Sequence, residues 1–293
     1  MKRIPRTSLA AALAFTATIA GAQTTLTLSG NLDLYGNYMR SSSGSHIVAL
    51  DDGAVQRSRW GLRGTEDIGA GYLVKFQLEG GIYADTGGLA GSGLFDRQSW
   101  LGLSTPYGEF RVGRQNGLIF THGDHVDFTG RTLGSLINSS GLPARFDNDV
   151  AYFSPRLRRM QFEAHVALPE SPAGNHPLVL QANLEYADDA IVAGIMTLHA
   201  LPPTHAAIDK DVEYDNVYAS WKYGRGTVYL AFVHSNNITA NAASNTAGAI
   251  VPGAGGYNAG TSPDLDHFYD IWQVSADYKL TSQLRVGAHG GSI

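Results

Sequence analysis

Residues 25–38, TLTLSGNLDLYGNY, alternate between apolar and polar side chains. Even-numbered positions carry leucine or glycine up to residue 36, whereas odd-numbered positions carry Thr, Ser, Asn, Asp and Tyr. A period of two residues predicts a β-strand with one apolar and one polar face. The stretch exceeds the about 5–6 residues of a mean strand and reaches the about 9–11 that a tilted strand needs to cross a bilayer. It therefore favours a membrane-spanning strand.

The same alternation recurs along the chain, and no segment has a convincing helical period of 3.6 residues. Thirteen segments in all are predicted to be strands. After the first, they are residues 57–65, 72–83, 95–103, 109–115, 147–154, 160–168, 178–186, 190–200, 216–223, 227–235, 272–280 and 283–290. The pattern predicts an all-β protein.

The connections between these segments alternate between short turns and long polar loops. The long loops are residues 40–56, 84–94, 116–146, 169–177, 201–214 and 236–267. Aromatic residues cluster beside the short turns, namely Tyr72, Tyr107, Phe110, Tyr186, Tyr223 and Tyr278. Short turns at one end, long loops at the other and an aromatic girdle are typical of a transmembrane antiparallel β-barrel.

Composition excludes several classes of protein. Charged residues make up 16% of the 293 residues, against about 25% in an ordinary soluble domain. There is no cysteine, which excludes disulfides, zinc–thiolate sites and a cysteine nucleophile. The net charge is −5 without a strongly basic run, which argues against nucleic acid as a partner.

Residues 1–22 predict a signal peptide. A basic start containing Lys2, Arg3 and Arg6 precedes an apolar stretch over 9–20, and Ala20-Gly21-Ala22 matches a cleavage site. The mature chain is therefore expected to begin at Gln23 and to be exported. No later segment has the about 18 consecutive apolar residues of a spanning helix. The product is then either a soluble exported protein or a membrane barrel.

Alternation alone leaves the soluble alternative open, because a β-sandwich or β-helix shows the same period. Such a protein could be a glycan-binding module or a hydrolase. The direction of the apolar faces separates the two, since in a barrel they meet lipid. The side chains that decide this are Leu26, Leu28, Val74, Phe76, Phe162 and Val166.

Several blocks of sequence carry a family resemblance. They are residues 26–33 (LTLSGNLD), 58–69 (SRWGLRGTEDIG), 76–79 (FQLE), 97–103 (RQSWLGL), 112–115 (VGRQ) and 145–149 (RFDND), followed by Tyr152 and Ser154-Pro155. In order and spacing these blocks resemble the general porins of Gram-negative bacteria, of the Neisseria and Comamonas type. The resemblance implies a 16-stranded, homotrimeric barrel in outer-membrane lipid. Such a barrel passes ions and small hydrophilic solutes by passive diffusion, with no enzymatic activity and no cofactor.

The chain departs from this family at its end. Family members end in a strand whose last residue is Phe, whereas this chain ends Gly290-Gly291-Ser292-Ile293. About 13 of the 16 strands are present, and barrels of this class have an even number. The sequence therefore predicts a barrel domain over 23–293 that is incomplete at its C-terminus. A porin fragment that forms no channel is a further alternative.

The resemblance also implies a pore constriction. Residues 116–144 would form the long loop that folds inward, and it carries Asp124, Asp127 and Arg131. The arginines that would face this loop are Arg59 and Arg97, with Arg131 and Arg145 competing for a third position.

The alternation pattern assigns Arg59 clearly to the polar face of its strand but does not do so for Arg97. Arg59 lies on the polar face opposite Trp60 and Leu62. Arg97 shares a face with Leu101 and Leu103, so a β-bulge would be needed to turn it inward. Further candidates for the pore wall are Arg63, Lys75 and Arg111. The alternative is that each cation is a solvated strand residue that pairs with Glu66, Glu79 or Glu109.

No catalytic motif stands out, and the sequence predicts a protein that is not an enzyme. There is no G-x-S-x-G elbow, G-x-G-x-x-G fingerprint or H-E-x-x-H helix. The run His122-Gly123-Asp124-His125-Val126-Asp127 has residue types that can bind zinc. Because it falls in a long polar loop, we interpret it as an ordinary loop segment and predict no metal.

Overall fold

The structure is a computed structural model that describes residues 24–54, 56–129, 144–168, 178–201, 211–236 and 267–292. The predicted signal peptide, residues 1–22, lies outside the described residues. The strands are β1 (Thr25–Asn31), β2 (Leu34–Arg40), β3 (His46–Asp52), β4 (Arg59–Gly69), β5 (Tyr72–Gly81), β6 (Gln98–Thr105), β7 (Gly108–Asn116), β8 (Arg145–Phe153), β9 (Met160–Ala167), β10 (Leu178–Ala187), β11 (Ile191–Leu201), β12 (Val212–Tyr223), β13 (Gly226–Ser235), β14 (Tyr269–Lys279) and β15 (Arg285–Ser292). A short helix α1 (Leu118–Thr121) and a 3-10 turn (Gly123–His125) follow β7. None of the helices in the described part of the chain is long and apolar enough to cross a membrane.

Thirteen strands form one antiparallel meander in which β1 pairs with β4 and every later strand pairs with the next, as far as β15. Strands β2 and β3 form a separate two-stranded sheet. Within the described residues β1 does not pair with β15, so the barrel is not closed. The architecture confirms the predicted all-β antiparallel fold.

The first predicted strand is interrupted. Asn31 pairs with Arg59 and Leu34 with Asp52, so two residues on one side face six on the other. Asp33 occupies this break, where its backbone N–H donates to Ser58 Oγ (2.9 Å) and its carboxylate accepts from the Gln56 N–H (2.7 Å). These bonds to residues 56 and 58 replace the ladder and split 25–38 into β1 and β2.

A second difference concerns residues 40–56, predicted as one long loop. Residues 46–52 form β3, which pairs with β2 over its whole length. The sequence HIVALDD of this strand is apolar at 47–50, and this run hides the period of two. A short apolar run cannot be assigned by periodicity alone, so the strand becomes recognisable only beside its partner.

The sheet buries its polar face and exposes its apolar face. On β14, Gln273, Ser275 and Asp277 are at most 7% exposed, whereas Trp272 and Val274 are 60% and 55% exposed. The same inversion runs along β9, β10 and β12. A soluble protein buries its apolar residues, whereas a membrane barrel turns them to lipid. The inversion excludes the soluble β-sandwich.

The six apolar residues singled out as diagnostic agree with this direction. Leu26, Leu28 and Phe162 are exposed. Val74, Phe76 and Val166 are half-buried and lie on the same outward face by strand alternation. The apolar faces therefore point outward, as a lipid-facing surface requires.

A cluster of buried apolar side chains lies on the inner face of the sheet, under the loop that follows β7. Its buried members include Leu118 and Ile119 from α1, Val126, and Met196 and Leu198 from β11. These side chains remove apolar area from water inside an otherwise polar interior, at about 25 cal/mol per Å². The cluster gives the loop a place to pack, which positions the candidate site.

The turn between β10 and β11 depends on Asp188. Its carboxylate accepts hydrogen bonds from the Tyr186 hydroxyl (2.7 Å) and from the N–H groups of Ile191 (2.8 Å) and Ala190 (2.9 Å). These bonds lower the pKa of Asp188 to about 2. Because the unfolded value is near 4, the contribution to stability is complete above about pH 4 and is lost as pH falls towards 2.

We therefore expect Asp188→Asn to reduce the dependence of stability on pH between about 4 and 2. The measurement is urea unfolding of the refolded chain in detergent micelles across this range. Asp189→Asn, a change at the neighbouring position of the same turn, serves as the control. Identical pH profiles for wild type and Asp188→Asn would contradict the assignment.

Candidate functional site

The loop after β7 folds against the inner face of the sheet. Leu118 and Ile119 are buried, and the Leu118 N–H donates to Gln181 Oε1 on β10 (2.9 Å). Farther along, the Phe128 ring lies 5.8 Å from the His289 ring of β15. The described part of the loop therefore lies against the inner face of the sheet, where it contacts β10 and β15.

Gly117 allows this inward path. Its N–H donates to the Ala144 carbonyl (3.0 Å), which joins the two ends of the loop. A Cβ at this position would lie 2.7 Å from the Phe146 ring and 3.1 Å from Gln181 Oε1. Because glycine has no side chain, the backbone approaches the wall closely enough for α1 to begin at the next residue.

His122 joins the loop to two strands. Its Nε2 lies 3.0 Å from Glu163 Oε2 on β9, and its Nδ1 lies 3.0 Å from Glu185 Oε2 on β10. Burial alone would lower the pKa of His122, but the hydrogen bonds to both carboxylates raise it to about 9. At neutral pH the ring is therefore an imidazolium that donates one N–H hydrogen bond to each carboxylate.

Three more groups surround Glu185. Arg156 donates to its Oε1 (3.0 Å), and the Tyr218 hydroxyl donates to its Oε2 (3.1 Å). His125 Nε2 lies 4.0 Å from the same Oε2, and burial lowers the pKa of His125. The rings of His122 and His125 both stack on Tyr218, at 6.0 and 6.3 Å between centroids.

Three of the predicted arginines meet near Glu79, at the end of the sheet that bears the long loops. Arg97 Nε lies 2.6 Å from Glu79 Oε1, and Arg59 Nε lies 3.9 Å from Glu79 Oε2. Arg145 lies 4.8 Å over the Phe120 ring and interacts electrostatically with Arg97 and Glu79. Arg59 and Arg97 therefore pair with the Glu79 carboxylate, and Arg145 lies nearby, with Arg114 and Asp96 also among its electrostatic neighbours.

Arg97 turns inward without a bulge. Strand β6 begins at Gln98, so Arg97 precedes the strand and strand alternation does not determine its direction. Its N–H donates to the Glu79 carbonyl (3.1 Å) while its side chain pairs with the Glu79 carboxylate. The register between β5 and β6 is regular. The expected bulge is therefore absent from this strand pair.

Other cations lie farther along the wall. Lys75 Nζ and Arg111 Nε lie 2.6 and 2.5 Å from the two oxygens of Glu109. The Arg111 guanidinium also lies over the Trp100 and Phe153 rings, at 4.4 and 4.3 Å. The pairing with Glu79 and Glu109, considered as the alternative, is therefore present.

The remaining predicted residues differ in exposure. Arg63 is exposed and lies opposite Gln77 in the ladder. Asp124 is exposed. Asp127 is fully buried, and its carboxylate accepts a hydrogen bond from the Thr129 N–H (2.9 Å). Arg131 lies outside the described residues.

Comparison with known proteins identifies the family. The sequence profile described as Gram-negative porin matches residues 9–293. The chain belongs to the Gram-negative porin family. This membership agrees with the inverted polarity of the sheet and with the loop folded onto its inner face.

Relatives of this porin are outer-membrane proteins. It is 35% identical to an outer membrane porin protein of Bordetella pertussis over 178 residues, which are 54% of this chain and 46% of that protein. It is 37% identical to outer membrane porin protein 32 of Delftia acidovorans over 153 residues, 47% of this chain and 42% of that protein. The matches thus span about half the length of these relatives.

Solved structures share the fold of this porin. The anion-selective porin from Comamonas acidovorans superposes with a TM-score of 0.73 at 19% identity, covering 92% of this chain and 78% of that chain. OmpF of Salmonella typhi superposes with a TM-score of 0.65 at 13% identity, covering 90% and 77%. Both support a β-barrel fold of the porin type.

Sequence reasoning missed Glu185 and Tyr218 as site residues of this porin. Alternation places Glu163 and Glu185 on polar faces, but nothing in a single sequence connects them to His122, which is 41 and 63 residues away. Tyr218 lies on β12, 33 residues beyond Glu185. The only signal was the run of His and Asp at 122–127, which we interpreted as an ordinary loop.

Proposed function

We propose that the chain forms a water-filled channel in the outer membrane, through which ions and small hydrophilic solutes diffuse passively. The observation that carries this proposal is the inverted sheet, whose polar face is buried and whose apolar face is exposed. A polar interior lets hydrated solutes pass, and an apolar exterior is stable in lipid. On this proposal the protein works as a channel and not as an enzyme.

We propose that the constriction lies where Arg59, Arg97 and Arg145 surround Glu79, with residues 116–144 as the loop that narrows the pore. Three guanidinium groups near the two carboxylates of Glu79 and Asp96 leave an excess of positive charge. Such a charge favours anions. Asp124, exposed on the loop, would face this wall, whereas buried Asp127 would stabilise the loop. Arg131 remains a prediction.

The wall residues Arg63, Lys75 and Arg111 extend the same face towards the short turns. Here Glu109 offsets Lys75 and Arg111. We therefore propose that these residues line the pore with mixed charge and contribute less to selectivity than the arginines around Glu79. The Comamonas porin that shares this fold is anion-selective by name, and we extend the same preference to this chain.

The proposal includes export by a signal peptide over residues 1–22, a barrel domain that begins at residue 23 and assembly as a homotrimer. Trimers are what the family resemblance implies. The outer-membrane fraction of expressing cells, run on a gel with and without heating, tests assembly, because folded barrel trimers resist detergent until heated. A single unshifted band would contradict the trimer.

We expect Arg59→Ala to lower the preference for anions. A unit charge about 4 Å from a passing ion contributes about 1 kcal/mol in water, favourable for chloride and unfavourable for potassium. Loss of the charge should therefore change each permeability by about fivefold in opposite directions, and the ratio of chloride to potassium should fall by about 30-fold at low salt. The reversal potential in a planar bilayer under a salt gradient measures this ratio.

Arg225→Ala is the matched control, because Arg225 is exposed on the turn between β12 and β13. It should leave the reversal potential unchanged. If Arg59→Ala also leaves the reversal potential unchanged, the assignment of Arg59 is wrong. If the wild-type chain folds and inserts but does not conduct, the proposed channel itself is wrong.

A further inference from the structure

His122, His125 and Glu185 bring three metal-binding side chains together on the inner face of the sheet. The two histidines are three residues apart across the 3-10 turn, a spacing at which side chains lie on the same side. Glu185 projects from β10 beneath them. One donor atom from each residue lies within 4.8 Å of the other two.

We propose that these three residues bind a divalent transition-metal ion such as Zn²⁺. Two imidazole nitrogens and one carboxylate oxygen match sites that keep a fourth position for water, with bonds of about 2.0–2.2 Å. Binding requires mainly a movement of His125, whose side chain is 37% exposed and can rotate towards Glu185. This reverses the sequence-based prediction of no metal.

The surrounding groups already orient the ligands. Glu163 accepts from Nε2 of His122, which leaves Nδ1, the nitrogen facing Glu185, for the ion. A metal-bound histidine commonly donates its other N–H to a carboxylate in this way. Arg156 occupies Oε1 of Glu185, and Oε2, which also accepts from the Tyr218 hydroxyl, is directed at both histidines. On binding, the ion replaces the Nδ1 proton of His122, which leaves to water.

The donor set also selects the ion. Imidazole nitrogen suits Zn²⁺, Ni²⁺ and Cu²⁺, whereas Mg²⁺ and Ca²⁺ prefer sites made of oxygen alone. A bound ion would join the loop to β10 and add positive charge at the inner face of the sheet. Because the exposed edge of His125 provides access, an ion in the aqueous interior reaches the site without unfolding the loop.

The test is a calorimetric titration of the refolded chain in detergent micelles with Zn²⁺ and, separately, with Mg²⁺. We expect one Zn²⁺ per chain and no binding of Mg²⁺. Glu163→Gln should weaken Zn²⁺ binding about 10–100-fold, as loss of an outer carboxylate does. His125→Gln, which removes a ligand at a partly exposed position, should weaken binding more strongly than Glu163→Gln.

His46→Ala is the matched control, because His46 is exposed on β3, far from the loop in sequence, and it should bind Zn²⁺ as the wild type does. Equal Zn²⁺ affinity in His125→Gln and wild type would overturn the proposal. So would a visible spectrum of Co²⁺, added in place of Zn²⁺, that matches six-coordinate aqueous Co²⁺. Both measurements follow binding and not conduction, so they stand even if the chain forms no channel.

Discussion

His122→Ala, studied in the presence of a chelator, is expected to lower the free energy of unfolding by about 3–5 kcal/mol. The reason is that His122 lies between Glu163 and Glu185 at 3.0 Å from each. All three side chains are about 6% exposed. Removal of the imidazolium leaves two buried carboxylates facing each other, and a buried charge without its partner is costly. Urea unfolding in detergent micelles measures the loss.

A second substitution in the same background tests the cause. In the double variant His122→Ala/Glu163→Gln, Glu185 is the one carboxylate of the former pair that remains ionised. Arg156 still pairs with it. We therefore expect the double variant to be more stable than His122→Ala alone, although it carries one more substitution. If the second change lowers stability further, the loss in His122→Ala comes from packing and not from charge.

Gly113→Val is expected to abolish the folded, heat-modifiable form of the protein. Gly113 has φ +127°, a conformation that a valine side chain does not tolerate. A Cβ at this position would overlap the Ser99 carbonyl oxygen and lie 2.9 Å from the Trp100 Cα. Since both neighbours are backbone atoms of β6, relief of the clash requires separation of β6 from β7. The yield of unheated, compact protein on a gel measures the effect.

Gly36→Val is the matched control for this prediction. Gly36 also lies in a strand, but its φ is ordinary and a Cβ there would meet nothing within 4 Å. Valine is moreover favourable in strands. We expect this variant to fold with the yield of the wild type. Normal folding of Gly113→Val would show that the β6–β7 pair tolerates the displacement.

The repeating strands could be predicted because their signal is local. Each of the thirteen predicted segments overlaps a strand of the structure, and the first overlaps two, since a lipid-facing strand must alternate along its whole length. The two errors, the break at Asp33 and strand β3, arise where hydrogen bonds to residues 53–58 or pairing with β2 override the local pattern. Such bonds join residues that are distant in sequence.

The charged residues also divide into those that the local sequence pattern placed correctly and those whose position depends on contacts elsewhere in the fold. Alternation placed Arg59 on the polar face, and the structure brings it close to Glu79. Alternation gave the wrong direction for the Arg97 side chain, because β6 begins at Gln98 and Arg97 therefore lies outside the strand. Asp127 was predicted to face the pore and is buried. A loop has no period, so the direction of its side chains follows from packing.

The sequence by itself determined the fold class, most of the segments that form the sheet and the face on which most polar residues of those strands lie, because the period of two needs only neighbouring residues. The tertiary structure decided which way the faces turn, which charges meet around Glu79, and that His122 and His125 lie beside Glu185. Those contacts join different strands and depend on the register of the whole sheet, which no local pattern encodes.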